Sequence, residues 1–130
     1  MDIRQLIESS MKAKENAYAP YSKFRVGAAL LAKDGRIYTG CNIENASYGV
    51  TNCAERTAIF KAVSEGVKDF ISIAINSDSD MFVLPCGVCR QVMAEFSYDM
   101  KVYISNRYGE YKEYSLKDLF PVPFTKNDLE

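Results

Sequence analysis

The 130-residue chain contains no histidine and no tryptophan. Histidine is the side chain that titrates near neutral pH and the commonest nitrogen ligand for metals, so its absence excludes every Ser-His, Cys-His and His-metal mechanism. Glycine and proline are scarce, at 7 and 4 residues, which excludes collagen-like and low-complexity chains. No apolar run approaches the roughly 20 residues needed to cross a bilayer. The chain is therefore expected to be soluble, with no membrane partner. The opening MDIRQLIESSMKAKENAY carries charge from Asp2 onward and lacks the continuous apolar stretch of a secretory signal, so the expected location is cytoplasmic. Neither sign of charge dominates: 16 Lys and Arg stand against 17 Asp and Glu, for a net charge of −1. Such a balance gives no general attraction for a phosphate backbone, and nucleic acid is not an expected partner.

What is present suits one compact domain over residues 1–130, with 48% apolar and 25% charged residues and no repeat or linker. Ile3, Leu6, Ile7 and Met11 recur at helical spacing, predicting an amphipathic helix from about Asp2 to Ala17. Pro20 then enforces a loop. Residues Phe24 to Leu31 and Arg36 to Cys41 read as two strands of a hairpin turned at Asp34-Gly35. A polar stretch without period, NIENASYGVTN, leads into a helix over CAERTAIFKAVSEG that ends near Gly66. Phe70 to Asn76 reads as a strand, and PCGVCRQVMAEFS as a helix opened by Pro85. Strands at Val102 to Ser105 and Glu110 to Tyr114, a short helix near Ser115 to Leu119 and an extended PVPF tail complete the chain. The order α-β-β-α-β-α-β-β predicts an α/β sandwich.

Chemistry concentrates at the four cysteines, Cys41, Cys53, Cys86 and Cys89. A chain of this size and apolar content supports a core without disulfides, and in a reducing compartment clustered cysteines point to metal. Cys86 and Cys89 form a C-x-x-C pair at a helix start, where i, i+3 spacing puts both thiols on one face. Tetrahedral zinc, with Zn–S bonds near 2.3 Å, needs sulfurs about 3.8 Å apart. Cys53 offers a third thiolate at a second helix start, and helix N-termini favour thiolates. The fourth position decides between a structural and a catalytic zinc. Cys41 would close the site, but it stands at a strand end with no cysteine at chelating spacing. The open site is the favoured reading and closure by Cys41 the alternative.

Glu55 lies two residues from Cys53. Beside a catalytic zinc, its carboxylate would reach bound water and move protons. Because i and i+2 point nearly opposite ways in a helix, Cys53 must then sit at the helix entry, before helical angles begin. Taken alone, Glu55 would be an ordinary first-turn glutamate favoured by the helix dipole. Three thiolates leave zinc with net negative charge, so a cationic donor to sulfur is expected. Arg56 is the first candidate and Arg90 the reserve.

C-A-E at Cys53 to Glu55 and P-C-G-V-C at Pro85 to Cys89 resemble the zinc-dependent cytidine deaminases. The resemblance extends through YAPYSKFRVGAAL at Tyr18 to Leu30, GCNIENASYG at Gly40 to Gly49 and CAERTAIFKAVSEG at Cys53 to Gly66. It is to the short, homotetrameric, nucleoside-acting branch that holds zinc by three cysteines. It implies a three-layer α/β/α sandwich with a mixed five-stranded sheet, and one zinc per chain on Cys53, Cys86 and Cys89. It further implies Glu55 as the catalytic proton carrier. Phe24, Asn42, Glu44, Ala54, Tyr48 and Phe124 would meet a small-molecule nucleoside, Asn42 and Glu44 at the ribose hydroxyls and Phe24 against the pyrimidine. Phe124 would serve a neighbouring subunit, and Tyr48 would lie at a subunit boundary. The residues alone read more plainly, with Phe24 as a core strand residue and Asn42 and Glu44 as solvated loop residues. The resemblance implies hydrolysis of cytidine and 2′-deoxycytidine in pyrimidine salvage, releasing ammonia. A deaminase of a nucleoside antibiotic such as blasticidin S, a polynucleotide deaminase and a structural zinc protein are the rival readings.

Overall fold

The computed structural model describes residues 2–129. Helix α1, Ile3–Lys14, begins at an Asp2 N-cap whose carboxylate accepts from the Gln5 N–H while the Gln5 side chain accepts from the Asp2 N–H. That reciprocal pair satisfies two of the amide groups a helix start leaves free. The helix ends three residues before the expected Ala17. The reason is non-local: the Tyr18 N–H donates to the Asn42 carbonyl at 3.0 Å, and Tyr18 bridges to Ile43.

Strands β1, Val26–Ala32, and β2, Ile37–Cys41, form the expected antiparallel hairpin. Gly35 at its turn has φ +93°, a conformation that favours glycine. Phe24 and Arg25 fall outside β1 because hydrogen bonds from remote residues claim their backbone. Helix α2, Ala54–Ser64, ends as the sequence suggests. The Gly66 N–H donates to the Val63 carbonyl and the Val67 N–H to that of Ala62, a pattern that needs the left-handed Gly66. Strand β3, Phe70–Ser77, is followed by α3, Gly87–Ser97, whose N-cap is Cys86, so Pro85 stands one residue before the cap. Strands β4, Lys101–Ser105, and β5, Tyr111–Ser115, and the one-turn helix α4, Leu116–Leu119, follow. Beyond the PVPF tail the chain closes in a 3-10 turn, Lys126–Leu129.

The sheet is mixed, in the order β2-β1-β3-β4-β5, with β3 and β4 parallel and the other pairs antiparallel. Alternation along β1 separates two cores. Ala28, Leu30 and Ala32 join Ala58 and Ile59 of α2 and Met93 of α3 on one face, while Ala29 meets Leu6 and Ile7 of α1 on the other. The result is the three-layer α/β/α sandwich with a mixed five-stranded sheet. Among the described residues, no helix is long and apolar enough to cross a membrane.

Candidate active site

Two helix starts meet over one face of the sheet. Cys53 is the N-cap of α2 with φ −76° and ψ 157°, extended rather than helical. The turn of direction at that cap lets Cys53 and Glu55, two residues apart, address the same cleft. Cys86 is the N-cap of α3, and its sulfur accepts from the Cys89 N–H at 3.4 Å. The Sγ atoms of Cys53, Cys86 and Cys89 all lie within 4.8 Å of one another, with Cys53 and Cys86 3.9 Å apart. Tetrahedral zinc at Zn–S distances near 2.3 Å asks for roughly 3.8 Å between sulfurs, so the trio fits one zinc per chain.

Cys41 stands outside this trio. It borders a separate surface cleft with Thr57 and Lys61, and burial pushes its thiol pKa up. The closed four-cysteine site is therefore not formed. Three protein ligands with a free position are what a catalytic zinc needs.

The electrostatics follow from the helix ends. Arg56 Nη2 donates to Cys53 Sγ at 3.3 Å and to the Thr51 carbonyl at 3.4 Å. The Cys53 thiol is lowered to about 5, chiefly by a hydrogen bond from Cys89 and, against the cost of burial, by the Arg56 guanidinium. The negative Cys53 in turn pushes the Cys89 thiol up, reinforced by burial. Arg90, the reserve cation, is engaged elsewhere: Nε donates to the Pro85 carbonyl at 2.8 Å and Nη1 to the Leu119 carbonyl at 2.9 Å. It pins the entry of α3 to α4, and Arg56 is the guanidinium on sulfur.

Glu55, only 5% exposed, lines the same cleft as Cys53 and Cys86, with Val26, Ser77 and Leu84 among its other walls. Burial, and then the negative Cys53, raise its carboxyl to about 7. A carboxyl held there takes up and releases a proton near neutral pH, as a general acid and base must.

Phe24, Asn42 and Glu44 are not among the residues that line this cleft; Asn42 is tied to it through the backbone of Val26. Asn42 is buried, not solvated: its Oδ1 accepts from the Val26 N–H at 3.0 Å and its Nδ2 donates to the Phe24 carbonyl at 2.9 Å. Glu44 accepts from the N–H groups of Tyr21 and Ser22 and from the Ser22 hydroxyl. Both residues thus fasten the Tyr21–Val26 segment. Ala54 opens α2 and is fully buried in the core. Tyr48 sits on a 3-10 turn, Tyr48–Val50, and is 78% exposed. Phe124 lies against Ala94 and Glu95 on the outside of α3, away from its own chain's thiols, with its side chain exposed.

Several supporting residues escape sequence reasoning. Thr57 Oγ1 lies within hydrogen-bond reach of the Cys41 and Cys53 carbonyls, at 3.0 and 3.2 Å, and accepts from Asn52, tying the Cys53 cap to the end of β2. Gln91 holds both the N–H and the carbonyl of Phe124. Asp78 grips Arg25 through its backbone N–H and guanidinium and pairs with Lys14 at 3.2 Å. A helical polar residue at the spacing of Thr57 carries no local mark, and the partners of Gln91 and Asp78 are too far along the chain to be read from sequence.

A sandwich that aims two helix N-termini at one three-thiolate site and buries a carboxyl beside it defines a zinc-dependent hydrolytic enzyme. Comparison with known proteins narrows the class. Residues 1–106 match the family described as the cytidine and deoxycytidylate deaminase zinc-binding region. A cytidine deaminase of Sporosarcina psychrophila is 57% identical over 130 residues, 99% of this chain and 96% of that one. Another, from Halalkalibacterium halodurans, is 55% identical over 130 residues, 99% of this chain and 98% of that one. The crystal structure of a cytidine deaminase from Burkholderia pseudomallei matches with a TM-score of 0.92 at 46% identity, covering 95% of this chain and 100% of that one. The chain belongs to the zinc-dependent cytidine and deoxycytidylate deaminase family.

Proposed function

We propose that this chain hydrolyses cytidine and 2′-deoxycytidine to uridine and 2′-deoxyuridine with release of ammonia, as a step of pyrimidine salvage in the cytoplasm. The observation that carries this reading is the buried Glu55 carboxyl in one cleft with Cys53 and Cys86, whose thiols lie close to that of the buried Cys89. Cys53, Cys86 and Cys89 would hold zinc, which when bound supplies a Lewis acid that makes water a nucleophile near neutral pH.

Glu55 is the proton carrier. It takes a proton from the attacking water and hands it to N3 of the pyrimidine so that C4 becomes electrophilic, then takes the remaining proton from the new C4 hydroxyl and delivers it to the departing amine. Arg56 tempers the negative charge of the thiolates by donating to Cys53. Asn42 and Glu44 suit the sugar hydroxyls, since a hydroxyl both donates and accepts and each side chain has hydrogen-bonding capacity beyond its internal bonds. Phe24 offers a flat apolar face to the base, and the Ala54 main chain borders the ring. Residues 1–130 act as one domain, and the working unit is a homotetramer. In it Phe124, exposed and held by Gln91, reaches a neighbouring subunit's cleft, and Tyr48 lies at a subunit boundary.

The test is substrate conversion by the zinc-loaded chain, following uridine and ammonia together with cytidine, 2′-deoxycytidine and blasticidin S as separate substrates. One ammonia per uridine, with the two nucleosides far preferred, is the expected result. Preference for the antibiotic, or no nucleoside conversion, would overturn the assignment.

A further inference from the structure

Glu44 is held in place by a neighbouring side chain, Ser22, that is not among the residues expected to meet the nucleoside. Its Oε1 accepts from the N–H groups of Tyr21 and Ser22 at 3.0 and 3.1 Å, and its Oε2 accepts from the Ser22 hydroxyl. The direction of the hydroxyl bond follows from its other partner. Ser22 Oγ itself accepts from the Phe24 N–H at 3.0 Å, which leaves the hydroxyl proton for Glu44. The competing acceptor, the Phe24 carbonyl, is 3.5 Å away and much the poorer. Between these residues Lys23 takes φ +60°, a left-handed conformation uncommon outside glycine, so the turn depends on the bonds around it. The same segment runs on to Val26, a wall of the cleft that contains Cys53 and Glu55.

We propose that Ser22 is a positioning residue for the sugar: by donating its hydroxyl to the Glu44 carboxylate, it fixes that group and presents its one remaining acceptor site to a hydroxyl of the nucleoside. The proposal rests on the reading of Glu44 as a sugar ligand. An ionised carboxylate offers about four acceptor sites, and three donors already occupy Glu44. What is left can only accept, so it selects a group that donates. The hydrogen bonds from Ser22 also hold the Glu44 carboxyl below its usual range, which keeps it an acceptor at any pH near neutrality.

The experiment compares cytidine with 2′,3′-dideoxycytidine, which lacks the sugar's ring hydroxyls, on the zinc-loaded full chain. Ser22→Ala is expected to raise KM for cytidine about tenfold while kcat stays within about twofold, the scale of one charge-assisted hydrogen bond. KM for the dideoxynucleoside should stay within about twofold, and Ser22→Thr, which keeps the hydroxyl, should restore cytidine binding. Equal losses on both substrates would mean that Ser22 only supports the loop, and an unchanged cytidine KM would mean that it does nothing for the sugar. Either result overturns the proposal. Glu44→Ala separates the two layers of inference. If that variant still prefers cytidine over the dideoxynucleoside as strongly as the parent, the sugar reading of Glu44 itself falls. If it loses the preference while Ser22→Ala keeps it, only the role of Ser22 falls.

Discussion

Glu55 and the three thiols are given different tasks, and single substitutions separate them. Glu55→Ala removes the proposed proton carrier and no proposed ligand, so it should keep one zinc and the parent's melting temperature while kcat falls by about 10²–10⁴-fold. Cys86→Ala should lose metal as well as turnover, read by metal analysis of the purified variant. Full zinc with more than about a tenth of parental kcat in Glu55→Ala would assign proton transfer to another group. Asp78 sets an acid limit on stability. Burial opposes its ionisation, but hydrogen bonds from the Arg25 side chain and backbone and from Lys14 prevail and hold its carboxyl at about 2. A depressed folded pKa contributes stability above the unfolded value near 3.9, and this is lost as pH falls through the folded value. Asp78→Asn should therefore unfold at lower urea than the parent at pH 6, with a gap that narrows at pH 3. At this scale the sequence is most readable where chemistry demands rare residues: three clustered cysteines in a chain without histidine leave few alternatives. It is least readable where a common residue works through a distant partner, as Asn42 does on Phe24 and Val26.

The elements matter because a metal site assembled from two helix caps needs both helices seated to within a fraction of an ångström. Gly40 on β2 permits that seating. A Cβ at this position would lie 2.6 Å from the Ala58 nitrogen and 2.7 Å from the Ala54 carbonyl oxygen, both main-chain atoms of α2. Gly40→Ala must therefore push α2 and its Cys53 cap outward. Overpacking of this kind costs about 1–3 kcal/mol. The variant should unfold at lower denaturant and bind zinc more weakly than the parent, measured by urea titration and metal competition. Element types were legible because periodicity and turn residues are local: the 3.6-residue repeat of α1, Asp34-Gly35 in the hairpin and Gly66 after α2 each fix their neighbourhood. Boundaries were less so. Tyr18 leaves the helix to pair with Asn42 and Ile43, and Phe24 and Arg25 leave the strand for Asn42 and Asp78. Those partners lie 18 residues or more along the chain, beyond any local window.

At the scale of the whole molecule, the exposed apolar side chains of Tyr48, Val50, Val122 and Phe124 are those a homotetramer would cover. Sedimentation of the zinc-loaded protein should give four times the 14.6 kDa chain mass. A monomer with full activity would remove Phe124 and Tyr48 from the working site. A single sequence displays its ligands but not its symmetry, which is why the subunit arrangement was not legible from the residues themselves. Whether three thiolates hold one catalytic zinc beside Glu55 is tested directly by one measurement. Zinc content per chain is determined together with the loss of cytidine absorbance, before chelation, after chelation and after zinc is restored. One zinc per chain, with conversion to uridine that disappears on chelation and returns with zinc, is the expected result. Zinc bound without conversion of any cytosine nucleoside, or conversion that survives complete removal of metal, would contradict it.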